Sequence, residues 1–280
     1  MFWQADLYRR PLRSDHGEPL WELLICSPEF DFTYGAIAPQ ADISSDWTQQ
    51  QLESALGKAQ EVPKEIQVFR PQSLPLLKMA GEALNIPVVA RRHTQTLKQW
   101  LQQRASWYPN LDTYSGEDYN PLAVDRPPPV PLAEDLWGDV WRFAAISAGD
   151  FEQVFPYEPI PIRSLPESQL PSHLGVASTA LIPGIIIDAG RQSMALAQWL
   201  KDSQPAWLSY IPGDPDGLIL EAGLAERWVL TTFEDAAVAA AGHSFEQRKV
   251  TSQGLHFLLV RPDDSGVTYT GLWLLQQPML

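Results

Sequence analysis

A single cysteine, Cys26, stands in the 280 residues, which excludes an internal disulfide and a multi-cysteine zinc site. That usage fits a reducing compartment. Cys26 closes a stretch rich in Leu and Ile, where a small buried hydrophobe is expected rather than a nucleophile. The five histidines, at 16, 93, 173, 243 and 256, fall at no metal-ligand spacing. Long apolar runs are also missing. The longest weakly polar one, 175–187, is broken by Pro183 and stopped by Asp188, well short of the roughly 20 residues a spanning helix needs. The opening residues MFWQADLYRR show no basic start followed by an apolar run, and no Ser/Arg-rich, acid-poor texture. Neither a signal peptide nor a transit peptide is therefore expected. No G-x-G-x-x-G, G-x-x-x-x-G-K-[ST], G-x-S-x-G or H-E-x-x-H occurs. Thus no catalytic residue, metal or cofactor is assigned.

Basic charge is scarce overall. Lys and Arg number 20 against 34 Asp and Glu, a formal net charge of -14. This argues against bulk, histone-like attraction to nucleic acid or to anionic lipid. A local basic patch stays open, because charges interact mainly within about 10 Å at ordinary salt.

What is present is ample apolar material: 45% hydrophobic residues and 19% charged ones, enough for one large domain or two ordinary ones. Alternation predicts strands at Phe2–Leu7, Leu20–Cys26 and Phe32–Ile37. A helix over Asp46–Ala59 follows, with Asp46 as cap and Leu52, Ala55, Leu56 and Ala59 at helical spacing. Next come a strand at Glu65–Phe69, a helix capped by Ser73 and ended by Asn85, a strand at Ile86–Ala90, and a helix opened by Thr94 with Leu97, Trp100 and Leu101 inward. The run DRPPPVPLAED then favours extended chain. Beyond it, strands are expected at Val140–Ile146, GIIID, Ala206–Ile211, Leu255–Val260 and Val267–Leu275. Helices are expected over Arg191–Lys201 and in the Ala-rich stretch after Thr232 and Asp235. The expected fold class is α/β (α+β). Residues 1–108 and 137–280 each form a mixed β-sheet flanked by helices, joined by a proline-rich acidic linker over 109–136.

Charge is polarised along the chain. Lys64 to Arg104 holds seven bases (Lys64, Arg70, Lys78, Arg91, Arg92, Lys98, Arg104) and two acids (Glu65, Glu82). Leu111 to Ile160 holds ten acids and two bases. Arg91, Arg92 and His93 follow a strand directly and precede a helix, so they cluster at a sheet edge. Gln95, Lys98 and Gln102 project from that helix, and Trp107 and Tyr108 follow it. Guanidinium and ammonium groups suit phosphates, amides suit base edges, and aromatic rings suit unstacked bases. The candidate RNA-binding residues are therefore Arg70, Arg91, Arg92, His93, Lys98 and Arg104. The plainer alternative is a solvated basic face that pairs with the acidic linker.

Two weaker patterns remain. In GIIIDAGRQS, the Asp188–Gly190 turn into a helix can hold a phosphate on backbone N–H groups, or can simply be a tight turn. Glu65, Ile66 and Gln67, with Asp31 as partner acid, suggest a degenerate restriction-endonuclease-like metal site, but Gln67 stands where the lysine would be.

The segments PLWELLICS, VFRPQ, VVARRHTQTLKQWLQQRASWYPN, PGIIIDAGRQS and the closing GLWLL, taken in order, span nearly the whole chain. In these the sequence resembles the Tab-type, A/U-rich-element RNA-binding proteins of cyanobacteria and plastids, whose mark is the tripeptide Trp273, Leu274, Leu275. The resemblance implies a non-enzymatic factor. It would bind single-stranded A/U-rich mRNA leaders and support translation of photosystem reaction-centre messages and photosystem biogenesis. Translation or photosystem-assembly proteins would be further partners. A cyanobacterial, cytoplasmic protein is expected, with peripheral association at the thylakoid membrane as the alternative. Rival readings are an assembly scaffold that does not bind RNA and the degenerate nuclease. Apart from the resemblance, Trp273 in a strand apolar on both faces reads as a core anchor.

Overall fold

The computed structural model describes residues 1–138 and 140–278. The chain divides into two compact units, Met1–Asp125 and Arg126–Leu280. The stretch 109–136 is thus shared between them. Leu111, Tyr114, Tyr119, Leu122 and Val124 pack within the first unit, and Val130–Pro131 joins a sheet of the second.

The first unit begins with β1 (Trp3–Arg13), β2 (Pro19–Cys26) and β3 (Thr33–Pro39), an antiparallel meander. It continues with α1 (Ser45–Leu56), β4 (Ile66–Val68), α2 (Leu74–Ala83), β5 (Val88–Ala90) and α3 (Gln95–Trp107). The sheet order is β3-β2-β1-β4-β5, with β1, β4 and β5 parallel. Side chains alternate across β1. Trp3, Ala5 and Leu7 face α1 and α2, where they meet Leu52, Ala55, Leu77 and Ala80. On the opposite face, Leu24, Cys26 and Phe69 meet Leu97 and Leu101 of α3. That face also carries Gln4, Asp6 and Arg10, all buried. The strand therefore runs on past Leu7.

Local capping differs from expectation in two places. Ser44, not Asp46, caps α1, its Oγ accepting from Trp47 N–H at 3.2 Å. Ser73 does not cap α2, because its hydroxyl is engaged with β1. It accepts from Leu7 N–H at 3.2 Å and lies 3.1 Å from Asp6 Oδ1. Gly81 of α2 is required by close packing, since a Cβ there would sit 2.5 Å from Val88 Cγ2 and 2.6 Å from Ile86 O.

The second unit holds two sheets. β6 (Val130–Pro131), β7 (Val140–Ser147), α4 (Ala148–Gln153), β8 (Ile162–Ser164), β9 (Leu181–Asp188) and α5 (Ser193–Ser203) come first. β10 (Pro205–Ile211), β11 (Asp216–Ala222), β12 (Glu226–Phe233), α6 (Ala236–Thr251), β13 (Leu255–Arg261) and β14 (Gly271–Gln276) complete it. One sheet has the order β7-β9-β13-β14-β8, the other β10-β11-β12-β6. β11 and β12 form an antiparallel hairpin where no strand is expected from the sequence. Thr232 accordingly lies inside β12, and Asp235 alone caps α6, its Oδ1 accepting from Ala237 N–H at 2.7 Å and Val238 N–H at 3.1 Å.

β13 and β14 are the expected closing hairpin, with Leu258 opposite Trp273. Trp273 and Leu275 pack with Leu196, Leu200, Leu208 and Leu220, while Leu272 and Leu274 pack with Phe151, Ile182 and Phe257. Trp273 is 3% exposed. Burial of a strand on both faces explains its unbroken apolar run. Val267 and Tyr269 precede the strand, and Val267 is exposed.

The outer edge of β10 is satisfied by side chains. Leu208 N–H donates to His256 Nε2 at 2.8 Å, Lys249 Nζ donates to Leu208 O at 2.7 Å, and Tyr210 N–H donates to Glu246 Oε1 at 2.8 Å. His256 must be neutral to accept at Nε2. Burial, reinforced by the charge of Lys249, pushes its pKa down to about 3.

Candidate nucleic-acid interface

Beneath α3, the polar face of β1 builds an ion network. Asp6 Oδ2 accepts from Arg10 Nη2 at 3.0 Å, and Asp6 Oδ1 accepts from Arg70 Nε at 2.8 Å. Arg10 Nε donates to Glu22 Oε2 at 3.2 Å, and Arg10 Nη1 donates to Tyr119 at 3.0 Å. Tyr108 and Arg104 also donate to Glu22. Burial alone would raise the pKa of Asp6, but Arg10 and Arg70 outweigh it and hold the carboxyl below its ordinary value. Burial keeps the Tyr108 phenol protonated, as its donor role requires.

Two expected RNA contacts are structural in this setting. Arg70 is 1% exposed, is fixed by Asp6 and by the carbonyls of Pro121 and Ala123, and lies 4.1 Å over the Tyr8 ring. A guanidinium so committed cannot reach a phosphate. Arg104 is ion-paired to buried Glu22 and stacks 4.4 Å from the Trp107 ring, so it closes the C-terminal end of α3 onto the sheet. The network itself was hidden in sequence. Its one visible trace is the polar alternation Gln4, Asp6, Tyr8, Arg10, which reads as a solvated face.

The other four residues do come together. Arg91, Arg92 and His93 follow β5 and lead into α3. Arg91 and His93 are exposed, while Arg92 and Lys98 are half-buried. Lys98 Nζ donates to Arg92 O at 2.6 Å and lies 5.1 Å from the Phe69 ring. Desolvation, followed by the charges of Lys98 and Arg92, lowers the pKa of His93. Desolvation, then Arg92 and Arg70, lowers that of Lys98. These groups feel one another as like charges. The network below adds to the effect, since three guanidinium groups (Arg10, Arg70, Arg104) face two carboxylates there. No ion pair engages Arg91 or Lys98 among the described residues. The result is a positive edge at the start of α3 in an acidic chain.

The remaining sequence patterns are absorbed by local structure. Gly190 takes φ 51°, and its N–H donates to Pro262 O at 3.0 Å, while Ala189 N–H donates to Arg261 O at 2.9 Å. Asp188 accepts from Arg261 Nε at 2.5 Å and from Arg142 Nη1 at 2.6 Å. The turn is closed on itself, with its N–H groups spent and a carboxylate where a phosphate would approach. Glu65 Oε1 accepts from Gln67 Nε2 at 2.7 Å, and Asp31 is bonded by Ser27. Among the described residues no group of three His, Cys, Asp or Glu side chains is placed to hold a metal ion. Burial pushes the Cys26 thiol up to about 12, leaving it unreactive. The second unit holds a cavity of about 470 Å³ lined by residues including Leu132, Trp137, Trp141, Ile187 and Leu230, with no charged side chain among the described residues of its wall.

Residues 2–104 match the N-terminal domain of RNA-binding protein Tab2/Atab2, and residues 119–276 match its C-terminal domain. The chain belongs to the Tab2/Atab2 RNA-binding protein family. It is similar to "Protein TAB2 homolog, chloroplastic" of Arabidopsis thaliana, at 27% identity over 98% of this chain and 74% of the relative. It is likewise similar to "Protein TAB2 homolog, chloroplastic" of Zea mays, at 26% identity over 98% of this chain and 70% of the relative. Among solved structures, a chain from the simian T-cell lymphotropic virus intasome bound to PP2A regulatory subunit B56 gamma aligns with 51% of this chain and 61% of its own, at 14% identity and a TM-score of 0.26. That likeness is too slight to argue from. Tab2/Atab2 is an RNA-binding rather than an enzyme family, and the positive edge at α3 lies within its N-terminal domain. No helix among the described residues is long and apolar enough to cross a membrane.

Proposed function

We propose that this Tab2/Atab2 member binds single-stranded, A/U-rich RNA across the α3 face of its first unit, and that it supports translation of photosystem reaction-centre messages. The arrangement of Arg91, Arg92, His93 and Lys98 at the start of α3 carries this reading. Three cationic groups, Arg91, Arg92 and Lys98, share one sheet edge with the imidazole of His93, whose lowered pKa leaves it neutral near pH 7 and able to donate a hydrogen bond. A buried network with excess positive charge lies below them. Exposed Gln95, Gln99 and Gln102 on the same helix supply amides. A net charge of -14 repels bulk nucleic acid, so binding depends on this edge and on local base contacts rather than on global attraction. Single strands suit such a surface, because their bases can be splayed out and stacked. The working place of the protein is the cytoplasm or the thylakoid surface, where those messages are translated.

The test is the double variant Arg91→Glu, Arg92→Glu, titrated with an A/U-rich single-stranded RNA at several salt concentrations. Affinity should fall at least tenfold, and the salt slope should drop by about 0.7 for each phosphate that is no longer neutralised. The melting temperature should hold, since the loop is outside both cores. Wild-type affinity and slope in the variant would refute the proposed surface.

A further inference from the structure

Opposite the basic edge, α3 is flanked by an aromatic pair. Phe30, in the β2–β3 loop, is 44% exposed and adopts φ 59°. A bulky side chain in the left-handed region is rare and costs conformational energy, and such strain persists only where the surroundings impose it. Here they do. Phe30 N–H donates to Ser27 O at 3.2 Å, and Ser27 N–H donates to Phe32 O at 3.0 Å. Phe32 N–H donates to Ser27 Oγ at 3.0 Å, and the Phe32 ring stacks on buried Trp3 at 4.9 Å. Thr96 Oγ1 of α3 donates to Pro28 O at 2.6 Å, which staples the loop to the helix. Phe30 meets Trp100 of α3 edge to face, with centroids 5.5 Å apart and planes at 78°. The ring is thus held out rigidly instead of folding into the core.

Helical geometry sets this pair against the basic group. With Leu97 and Leu101 facing the sheet, an advance of roughly 100° per residue sends Lys98 and Trp100 to opposite flanks of α3 and turns Gln95, Gln99 and Gln102 outward. The contacts agree, for Lys98 lies against Phe69 and Trp100 against Phe30. Across the helix the order is therefore cationic, amide, aromatic. A nucleotide chain offers the same order from phosphate through base edge to base face.

We propose that Phe30, braced by Trp100, is a stacking platform for one unpaired base of an RNA strand whose phosphates lie along Arg91, Arg92, His93 and Lys98. This rests on the reading of α3 as the RNA-binding face and names the contact that selects single strands there. A base inside a duplex has no free face to offer.

The test uses the full chain with Phe30→Leu, which keeps apolar bulk without a π-face, Phe30→Gly, which relieves the backbone, and Phe30→Trp, which keeps the ring. Affinity for an A/U-rich single strand should fall about 5- to 150-fold in the Leu and Gly variants, the range for losing one base–aromatic stack. It should be retained in the Trp variant. The salt slope should stay at the wild-type value, because the substitutions remove no charge. The melting temperature of Phe30→Gly should be unchanged or higher. Unchanged affinity in Phe30→Leu would overturn the platform. If Arg91→Glu, Arg92→Glu weakens binding while the Phe30 variants do not, the platform alone falls. If neither set changes binding, the α3 face falls with it.

Discussion

The polar face of β1 in the first unit and the β13–β14 hairpin of the second are both buried, with opposite chemistry. Around β14, every side chain from Leu272 to Leu275 meets apolar neighbours on one face or the other. Around β1, one face is apolar while the other carries Asp6 and Arg10, covered by α3 and by residues 108–124. An apolar face needs only to be covered. A charged face under a helix must have every group paired, because desolvating an ion costs several kcal/mol that only good geometry offsets. The contrast suggests a division of labour. The second unit contributes a plain core, and the first holds a net-positive base beneath the α3 face proposed to meet RNA.

That comparison can be broken in graded steps. Asp6→Ala should have the largest effect, because it leaves Arg10 and Arg70 buried without their shared partner. We expect a loss of about 5 kcal/mol, the upper end for stranding a buried charge, read from the denaturant midpoint of the first unit. A loss under about 1 kcal/mol would mean that water reaches the network. Trp273→Ala should cost the second unit about 3–5 kcal/mol through the cavity it leaves, with RNA affinity at the α3 face unchanged once the protein is folded. Intact stability with lost binding would turn the Trp-Leu-Leu tripeptide from a core element into a contact site.

Acidification should separate the units by window. His256 has a folded pKa of about 3, below its ordinary 6.5, so between those values the unfolded chain binds the extra proton. Stability of the second unit should therefore fall as pH drops from 6.5 toward 3, by up to about 1.4 kcal/mol per pH unit. Asp6 has a folded pKa held below 3.8, so its stabilisation is present above 3.8 and is lost only as pH falls further. His93, lowered but at the surface, adds a screened contribution of the same sign as His256 in the first unit. Chemical denaturation at pH 7, 5 and 4 should show the second unit weakening first, and His256→Gln should flatten its slope. The smallest effect is expected for Ser44→Ala, about 1 kcal/mol from the lost cap of α1.

Much of this fold is legible in sequence. The order β-β-β-α-β-α-β-α of the first unit follows from periodicity, and so does the closing hairpin, because each run has one dominant period. The β11–β12 hairpin is not read from the sequence. β12 (ERWVLTTF) is only half-buried, and Thr232 with Asp235 imitates a helix start. The placement of the candidate site residues was legible where position along the chain decides it. Arg91, Arg92 and His93 must emerge at a sheet edge because they link β5 to α3. Arg70 follows β4 in the same way, yet it turns inward to Asp6, 64 residues earlier in the chain. Nothing local to Arg70 encodes that partner. Phe30 escapes notice for a related reason, since its exposure comes from a strained backbone angle and a staple to Thr96 rather than from sequence pattern.

The most direct test of the α3 face is ultraviolet crosslinking of an A/U-rich single-stranded RNA to the intact protein, followed by mapping of the crosslinked peptides. The crosslinks should fall in the β2–β3 loop around Phe30 and in the segment from Arg91 to Gln103. Crosslinks confined to the second unit, with none in those two segments, would contradict the account.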